Sequence, residues 1–187
     1  MKILVVVDMQ NDFITGSLGT KEAQAIVPKV KNKIQEAVKN GDLIIYTRDT
    51  HFCEEYLQSR EGMKLPVEHC ISGTPGWRIP DELLPPGDYE TYGFVDKFTF
   101  GEMELPHRIW TLANSYYDDG MLTFDEIELV GLCTSICVVS NALILKAFFY
   151  NTHEISVDAT CCACVTPASH EAALTTMQMC QINIKRG

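Results

Sequence analysis

The sequence lacks the features that place a chain in or across a membrane. No stretch approaches the roughly 20 consecutive apolar residues of a membrane-spanning helix. The apolar run from Lys2 to Val7 is too short for a signal peptide, and no positively charged leader precedes it. We therefore expect a cytosolic protein without a membrane partner. Because thiols stay reduced in the cytosol, the eight cysteines are expected to be free.

Positive charge is also scarce. The chain has 15 Lys and Arg against 25 Asp and Glu, which gives a formal net charge of −10, and it contains no run of basic residues. This balance argues against a surface that binds nucleic acid phosphates. Internal repeats, low-complexity tracts and linkers are absent as well. The 187 residues, 46% of them hydrophobic, are expected to form one domain, 1–187.

Short apolar segments alternate with amphipathic ones along the chain, which is the pattern of a parallel sheet covered by helices on both faces. The predicted strands are 2–7, 43–47, 89–96, one that starts at 126, 154–157 and one near 182. The predicted helices are 21–40, 103–114 with an interruption near Pro106, 135–150 and 167–179. The expected fold class is a three-layer α/β architecture with a six-stranded, mostly parallel sheet.

Cys137 occupies the most reactive position that the sequence offers. It falls in the first turn of the predicted helix 135–150, directly after a strand. Free N–H groups and the helix dipole at that end favour an anion, so we expect a lowered pKa for this thiol. The same N–H groups could hold an oxyanion. The alternative interpretation is a buried, inert cysteine.

Two further residues suit a site at the same edge of the sheet. Asp8 directly follows the first predicted strand, and ligands of open α/β sheets bind beyond the carboxyl ends of the strands, so Asp8 and Cys137 are expected to face one pocket. A loop cap is the alternative for Asp8. Lys97 stands among aromatic residues in Y-G-F-V-D-K-F-T-F, where a surface lysine is the alternative.

The long stretch 48–86 carries candidate metal ligands. Asp49 and His51 form an Asp-x-His pair, and His69 follows later. Their oxygen and imidazole donors suit zinc, iron or manganese, with ordinary surface hydrogen bonding as the alternative. A loop of this length inside a compact domain is usually functional.

Three separated motifs resemble those of the isochorismatase-like cysteine hydrolases: D-M-Q-N-D-F, V-D-K and G-L-C-T-S-I-C-V, in the family's order. The resemblance covers essentially the whole chain. It implies that Asp8, Lys97 and Cys137 are the catalytic residues. It also implies an oxyanion hole formed by the N–H groups of Cys133 and Cys137, with a cis peptide bond between Leu132 and Cys133.

The nicotinamidase branch of that family is the most similar. The resemblance implies a divalent metal, zinc being the first expectation and iron or manganese the alternatives, with Asp49, His51 and His69 as ligands. Whether a glutamate completes this site stays open, and the candidates are Glu54, Glu55 and Glu61.

The substrate pocket is less sharply predicted. Phe13 and Leu18 are expected to form apolar walls, and Phe94 and Phe98 are further candidates. Many nicotinamidases carry an aromatic residue three positions before the second metal histidine, where this chain has Pro66. Trp77 is the candidate replacement.

The expected reaction is hydrolysis of nicotinamide to nicotinate and ammonia through a thioester on Cys137. The alternatives are another small amide, a carbamoyl compound or a ureide as substrate. Isochorismate cleavage and a non-enzymatic, redox-sensing role are the remaining hypotheses. Helix 135–150 is apolar nearly all round, which predicts either a homo-oligomer contact or a cover provided by the long loop.

Overall fold

The computed structural model describes residues 1–85, 92–115 and 124–187. Its strands are β1 (Lys2–Val7), β2 (Leu43–Asp49), β3 (Tyr92–Lys97), β4 (Glu126–Gly131), β5 (Glu154–Cys162) and β6 (Asn183–Lys185). They form a six-stranded sheet in the order β3-β2-β1-β4-β5-β6, and every pair of neighbours is parallel. The predicted six-stranded α/β fold is confirmed.

Helices cover both faces of this sheet. They are α1 (Asn11–Ile14), α2 (Lys21–Asn40), α3 (Cys53–Tyr56), α4 (Leu105–Ser115), α5 (Val139–Phe148) and α6 (Pro167–Met179). The hydroxyl of Thr20 accepts a hydrogen bond from the Ala23 N–H at the start of α2, and Gly41 ends that helix with a φ of 71°. The first and last residues predicted for this helix are confirmed.

The two faces of the sheet build two apolar cores. Ile3, Val5 and Val7 of β1 point to the side covered by α4, α5 and α6. Leu4 and Val6 point to the side covered by α2. All five side chains are buried, because β1 lies in the middle of the sheet with helices on both sides.

The strand order creates a switch point beside β1. From β1 the chain moves outward to β2 and β3, and it then returns to β4 on the other side of β1. The connections that leave β1 and β4 therefore diverge, which opens a crevice at the carboxyl ends of these two strands. Asp8 directly follows β1, and the segment that carries Cys137 follows β4, so both lie at this crevice.

Two predictions about the limits of elements are wrong, and a third cannot be compared over its full length. Helix α4 runs without interruption through Pro106, because Pro106 is its second residue and a proline in the first turn removes no helical hydrogen bond. Strand β5 extends to Cys162, beyond the predicted 154–157. Strand β3 begins at Tyr92 in the described part of the chain, and the rest of the predicted strand, 89–91, lies outside the described residues.

The predicted helix 135–150 consists of two pieces. A wide π-type turn, Thr134–Val138, precedes α5, and in it the Val138 N–H donates to the carbonyl oxygen of Cys133 at 3.1 Å. Helix α5 then packs between α4 and α6 over β5. These neighbours account for its apolar surface on several sides, and the homo-oligomer stays a prediction.

Among the described residues, no helix combines the length and the apolar character needed to cross a membrane. All eight cysteines are free thiols, and six of them are at least partly buried: Cys70, Cys133, Cys137, Cys161, Cys162 and Cys164.

Candidate active site

Three predicted catalytic side chains meet at the switch point of the sheet. The Lys97 Nζ lies 2.7 Å from Oδ2 of Asp8 and 3.4 Å from Sγ of Cys137. Asp8 and Lys97 are fully buried, and Cys137 is 5% exposed. A thiol, a carboxyl group and an ammonium group therefore lie together in one buried cluster.

The backbone of β1 turns sharply to place Asp8 there. Asp8 has a φ of 48°, a region that residues with a side chain rarely adopt. Neighbouring β2 holds it, because Asp8 N–H donates to the Thr47 carbonyl oxygen at 3.2 Å and the Thr47 hydroxyl donates to Oδ1 of Asp8 at 2.6 Å. Thr47 thus fixes the orientation of the carboxylate, and no motif in the sequence singles this residue out.

Gly131 brings the end of β4 unusually close to β1. Its φ is 116°, and a Cβ at this position would lie 2.1 Å from the carbonyl oxygen of Val7. The next residue, Leu132, donates its N–H to the same oxygen at 2.9 Å. Only glycine allows this approach, which carries the chain from β4 toward Cys137 beside Asp8.

The expected lowering of the Cys137 pKa is wrong. Burial raises the pKa of the Cys137 thiol well above its ordinary value, and the charge of Asp8 raises it further, while Lys97 opposes both effects. Desolvation outweighs the favourable helix end, because the thiol is enclosed and not solvated at the turn. The Cys137 side chain is therefore a neutral thiol.

The pKa values of both Asp8 and Lys97 are raised, for different reasons. Burial raises the pKa of Asp8, although the Lys97 charge opposes the shift. Burial alone would lower the pKa of Lys97, but the charges of Asp8 and Asp49 raise it well above its ordinary value. Lys97 thus keeps its positive charge, and the Asp8 carboxyl group binds a proton more tightly than an ordinary aspartate does.

The peptide bond between Leu132 and Cys133 is trans, so the predicted cis bond is wrong. A trans bond costs about 3 kcal/mol less for a residue other than proline, and the close approach at Gly131 already turns the chain. The Cys133 N–H donates to no acceptor in residues 1–85, 92–115 and 124–187. This donor remains available beside the wide turn that carries Cys137.

A second group of donors lies next to the catalytic cluster. Asp49, His51 and His69, the predicted metal ligands, converge with Glu61, and their donor atoms all lie within 4.8 Å of one another. His69 Nε2 is 3.5 Å from Asp49 Oδ2 and 3.7 Å from Glu61 Oε1. Of the three glutamates that the sequence left open, the structure brings Glu61 into this group.

The donors of this group are oriented for a cation. The ring Nδ1 of His69 lies 2.9 Å from the Val67 carbonyl oxygen, which can only accept, so Nδ1 carries a proton and Nε2 can present its lone pair to a metal. Two imidazole nitrogens and two carboxylates suit a divalent transition metal. The residues present therefore fit the predicted metal.

Asp49 links the two groups. Its Oδ2 lies 2.9 Å from His51 Nε2, and its Oδ1 accepts a hydrogen bond from Lys97 at 3.0 Å. Burial would raise the pKa of Asp49, but the bonds to His51 and His69 and the Lys97 charge lower it well below its ordinary value. Asp49 is thus ionised, with one oxygen toward each group.

Gln10 is a supporting residue to which the sequence assigned no role. Its side chain is fully buried, its Oε1 accepts from the Asp49 N–H at 2.7 Å, and its Nε2 donates to the Asp49 carbonyl at 2.8 Å. The same Nε2 donates to the Trp77 carbonyl at 2.8 Å. Gln10 follows Asp8 by two residues, so one short segment positions both acids.

The predicted substrate walls are only partly brought to the site. Phe13 is half-buried, with its ring 5.5 Å from that of His69. Leu18 lies in the turn after α1, where its N–H donates to the Asp12 carbonyl. Phe98 is exposed and stacks on Phe52 with ring centroids 5.9 Å apart. Wall roles for these residues stay predictions.

Phe94 lies on the wrong face of the sheet for a pocket wall. Side chains alternate along β3, so Phe94 points away from the face of Lys97 and packs against the ring of Tyr46 at 5.5 Å. Trp77 carries the guanidinium of Arg48 over its ring at 3.9 Å. One face of the Trp77 ring, which was the candidate to replace the aromatic residue missing at position 66, is therefore already covered.

The fold and the cluster define an α/β enzyme whose reactive groups lie at the switch point of a parallel sheet. The Isochorismatase domain model matches residues 2–185, so the chain belongs to the isochorismatase family. The chain is 28% identical over 185 residues to the nicotinamidase of Saccharomyces cerevisiae, which covers 81% of this chain and 84% of that protein.

Two further proteins show the same similarity. The nicotinamidase/pyrazinamidase of Mycobacterium tuberculosis is 26% identical over 176 residues, covering 87% of this chain and 92% of that protein. A crystal structure of the pyrazinamidase of Pyrococcus horikoshii in complex with zinc superimposes with a TM-score of 0.79 at 26% identity, covering 100% of this chain and 99% of that chain. The predicted family and fold are confirmed.

Proposed function

We propose that this chain is a cysteine amidohydrolase that cleaves nicotinamide to nicotinate and ammonia in the cytosol. The observation that carries the proposal is the buried cluster of Asp8, Lys97 and Cys137, which Asp49 joins to a group of metal donors. The nicotinamidases among the relatives support the amide as the bond that is cleaved.

The first half of the reaction forms the thioester. Asp8 takes the proton of the Cys137 thiol, and Sγ forms a bond to the amide carbon while the carbonyl becomes an oxyanion. The oxyanion then collapses, the C–N bond breaks, and Asp8 gives its proton to the nitrogen, which leaves as ammonia. Burial raises the pKa of the Asp8 carboxyl group, which strengthens it as the base for this transfer.

The second half hydrolyses the thioester. Asp8 accepts a proton from water as the water oxygen bonds to the carbonyl carbon. The C–S bond then breaks, and the proton returns to Sγ of Cys137. Lys97 keeps its charge throughout, so it stabilises the Asp8 carboxylate and the departing thiolate in turn.

The oxyanion formed in both halves requires donors set in place beforehand. We assign this role to the N–H groups of Cys133 and Cys137. The N–H of Cys133, which donates to no acceptor among the described residues and lies immediately before the wide turn Thr134–Val138, supports the assignment.

Asp49, His51, His69 and Glu61 would hold the divalent metal. When bound, the metal would act as a Lewis acid that can hold a ring nitrogen of the substrate or a water molecule beside it. Zinc is the ion we propose, because two imidazoles with carboxylates suit it and a similar pyrazinamidase binds it.

A second substrate class is favoured by one observation. Pro66 replaces the aromatic residue expected before His69, and the ring of Trp77 is covered on one face by Arg48. The stacking surface for a pyridine ring is therefore reduced, and another small amide, a carbamoyl compound or a ureide would use the same machinery.

The test is ammonia release from nicotinamide by the zinc-loaded protein, with a panel of small amides, carbamoyl compounds and ureides run beside it. Turnover of nicotinamide that disappears in Cys137→Ala is the expected result. Turnover of another panel member alone would support the second substrate class. Turnover that persists in Cys137→Ala would overturn the mechanism.

A further inference from the structure

One buried amide joins the helix of the nucleophile to the segment after Lys97. Asn141 lies in the first turn of α5 and is fully buried. Its Oδ1 accepts a hydrogen bond from the Glu102 N–H at 2.9 Å, and its Nδ2 donates to the Phe100 carbonyl at 3.3 Å. The same Nδ2 donates to the carbonyl oxygen of Cys137 at 2.8 Å. A single side chain therefore binds the backbone of both segments.

The segment 98–102 has few other anchors. Phe98 and Phe100 are 59% and 48% exposed, so their side chains contribute little burial. Gly101 lies directly against α5, where a Cβ would be 2.7 Å from Cδ1 of Ile144. The stack of Phe98 on Phe52, the close packing at Gly101 and the amide of Asn141 thus hold the segment, and of these only Asn141 also bonds the backbone of Cys137.

This segment also supports the lysine. Lys97 Nζ donates to the Thr99 carbonyl at 3.2 Å as well as to Sγ of Cys137 at 3.4 Å. Thr99 immediately precedes Phe100, whose carbonyl oxygen accepts a hydrogen bond from Asn141. A shift of the segment would therefore move an acceptor of the Lys97 ammonium group. The Asn141 side chain, which tethers this segment to α5, is also bonded to the backbone of Cys137.

We propose that Asn141 is a positioning residue that sets the distance between the Lys97 ammonium group and the Cys137 thiol. The proposal rests on the function proposed above and assigns Asn141 no contact with the substrate. Misplacement of reacting groups by about 1 Å can reduce a rate by about 100-fold. The expected defect is therefore in the chemical steps and not in substrate binding.

Two variants at position 141 distinguish the loss of the hydrogen bonds to the segment 98–102 from a general loss of stability of α5. Asn141→Ala removes all three hydrogen bonds. Asn141→Thr keeps a hydroxyl that can bond the carbonyl four residues earlier, here that of Cys137, but it cannot reach the segment. The matched control is Asn114→Ala, because within the described part of the chain the exposed Asn114 amide donates to the Trp110 carbonyl four residues earlier, at 2.8 Å, and to no other group.

The measurements are kcat and KM on the amide that the parent protein hydrolyses, together with hydrogen exchange of peptides covering 98–104. In Asn141→Ala and Asn141→Thr we expect kcat to fall about tenfold or more while KM changes less than about twofold. Exchange in 98–104 should become faster, and exchange in the α4 peptide 105–113 should not. Asn114→Ala should match the parent protein.

An unchanged kcat in a folded Asn141→Thr whose 98–104 exchange has become faster would overturn the proposal. Equal exchange in 98–104 would overturn it too, because the tether would then not hold the segment. If the parent protein hydrolyses no amide, the proposed function fails by itself, and alkylation of Cys137 by iodoacetamide decides the positioning role. Slower alkylation in Asn141→Thr than in Asn114→Ala would support it, and an equal or faster rate would overturn it.

Discussion

At the scale of single residues, Asp8 combines a strained backbone with a buried charge. Its φ of 48° and its complete burial are both unfavourable for an isolated aspartate. The hydroxyl of Thr47 and the ammonium group of Lys97 offset these costs. The strength of Asp8 as a base is therefore set by its burial and by one cation.

The pH dependence of the reaction should report this burial. Activity requires Asp8 to be ionised, and its pKa is raised above the ordinary 3.8, so kcat/KM should fall as the pH decreases through that raised value. A pH profile of kcat/KM checks this prediction. A profile in which kcat/KM falls only at or below pH 3.8 would contradict it.

Gly131 should tolerate no side chain. In Gly131→Ala the added Cβ would meet the Val7 carbonyl oxygen, and we expect a loss of about 3 kcal/mol or more in the free energy of unfolding. The control is Gly41→Ala, where φ is 71° but nothing lies within 4 Å, and the cost should be about 1 kcal/mol. Urea unfolding of both variants makes the comparison, and equal losses would show that the close approach is not what requires glycine.

The residues of the site were predicted better than their electrostatics. The positions of Asp8 and Cys137 at a strand end and a helix start were enough to expect them in one pocket, whereas Lys97 was expected there only from the family resemblance. The direction of the Cys137 pKa was wrong, because a sequence shows the helix end but not the enclosure of the thiol. No role was predicted for Gln10, because its hydrogen-bond partner, the backbone of Asp49, is distant in the sequence.

At the scale of elements, the metal group depends on a loop residue that no regular pattern reveals. Glu61 joins β2 and His69 only because the turn after α3 folds back over them. Glu61→Gln removes a charged oxygen donor, and we expect zinc binding to weaken about tenfold or more.

Calorimetric titration of zinc into the metal-free protein measures the effect. Glu54→Gln is the control, because Glu54 is an exposed residue of α3 outside the group. Equal zinc affinities for the two variants would remove Glu61 from the site.

Strands β1, β4, β5 and β6 are joined by one carboxylate. Glu126 of β4 lies 2.7 Å from the Lys2 ammonium group, accepts from the Ser156 hydroxyl at 2.5 Å and contacts Lys185. Burial would raise its pKa, but the Lys185, Lys2 and Ser156 hydrogen bonds lower the pKa of Glu126 to about 2, from 4.5.

A lowered pKa stabilises the folded state above the unfolded value of 4.5, and this contribution is lost as the pH falls toward about 2. Glu126→Gln should therefore cost about 2 kcal/mol of unfolding free energy at pH 7, and the difference should shrink toward pH 2. Urea unfolding across this range, with the exposed Glu36→Gln as control, tests the prediction. A cost that does not change with pH would contradict it.

Alternation of apolar segments predicted the order and type of the main elements, and it failed where local geometry departs from regular helices. The turn Thr134–Val138 has the apolar residues of a helix, so its wider hydrogen bonding is invisible in the pattern. The interruption expected at Pro106 did not occur, because α4 begins one residue before it. Boundaries therefore depended on contacts that the periodicity does not contain.

At the scale of the whole molecule, the strand order decides where the chemistry lies. β1 and β4 are neighbours in the centre of the sheet although more than 100 residues separate them, and their carboxyl ends carry Asp8 and the segment with Cys137. The neighbouring β2 and β3 end at Asp49 and Lys97. Four adjacent strands thus supply the acid, the thiol, the cation and a metal donor to one crevice.

The most direct measurement is the trapping of the acyl-enzyme. The zinc-loaded protein is mixed with nicotinamide, quenched in acid within one turnover and analysed by intact mass and peptide mapping, with Cys137→Ala and Asp8→Asn in parallel. We predict a nicotinoyl group on the peptide that carries Cys137 in the parent protein, and none in either variant. Release of nicotinate without any such adduct, at the same rate in Cys137→Ala as in the parent, would show that Cys137 is not the nucleophile.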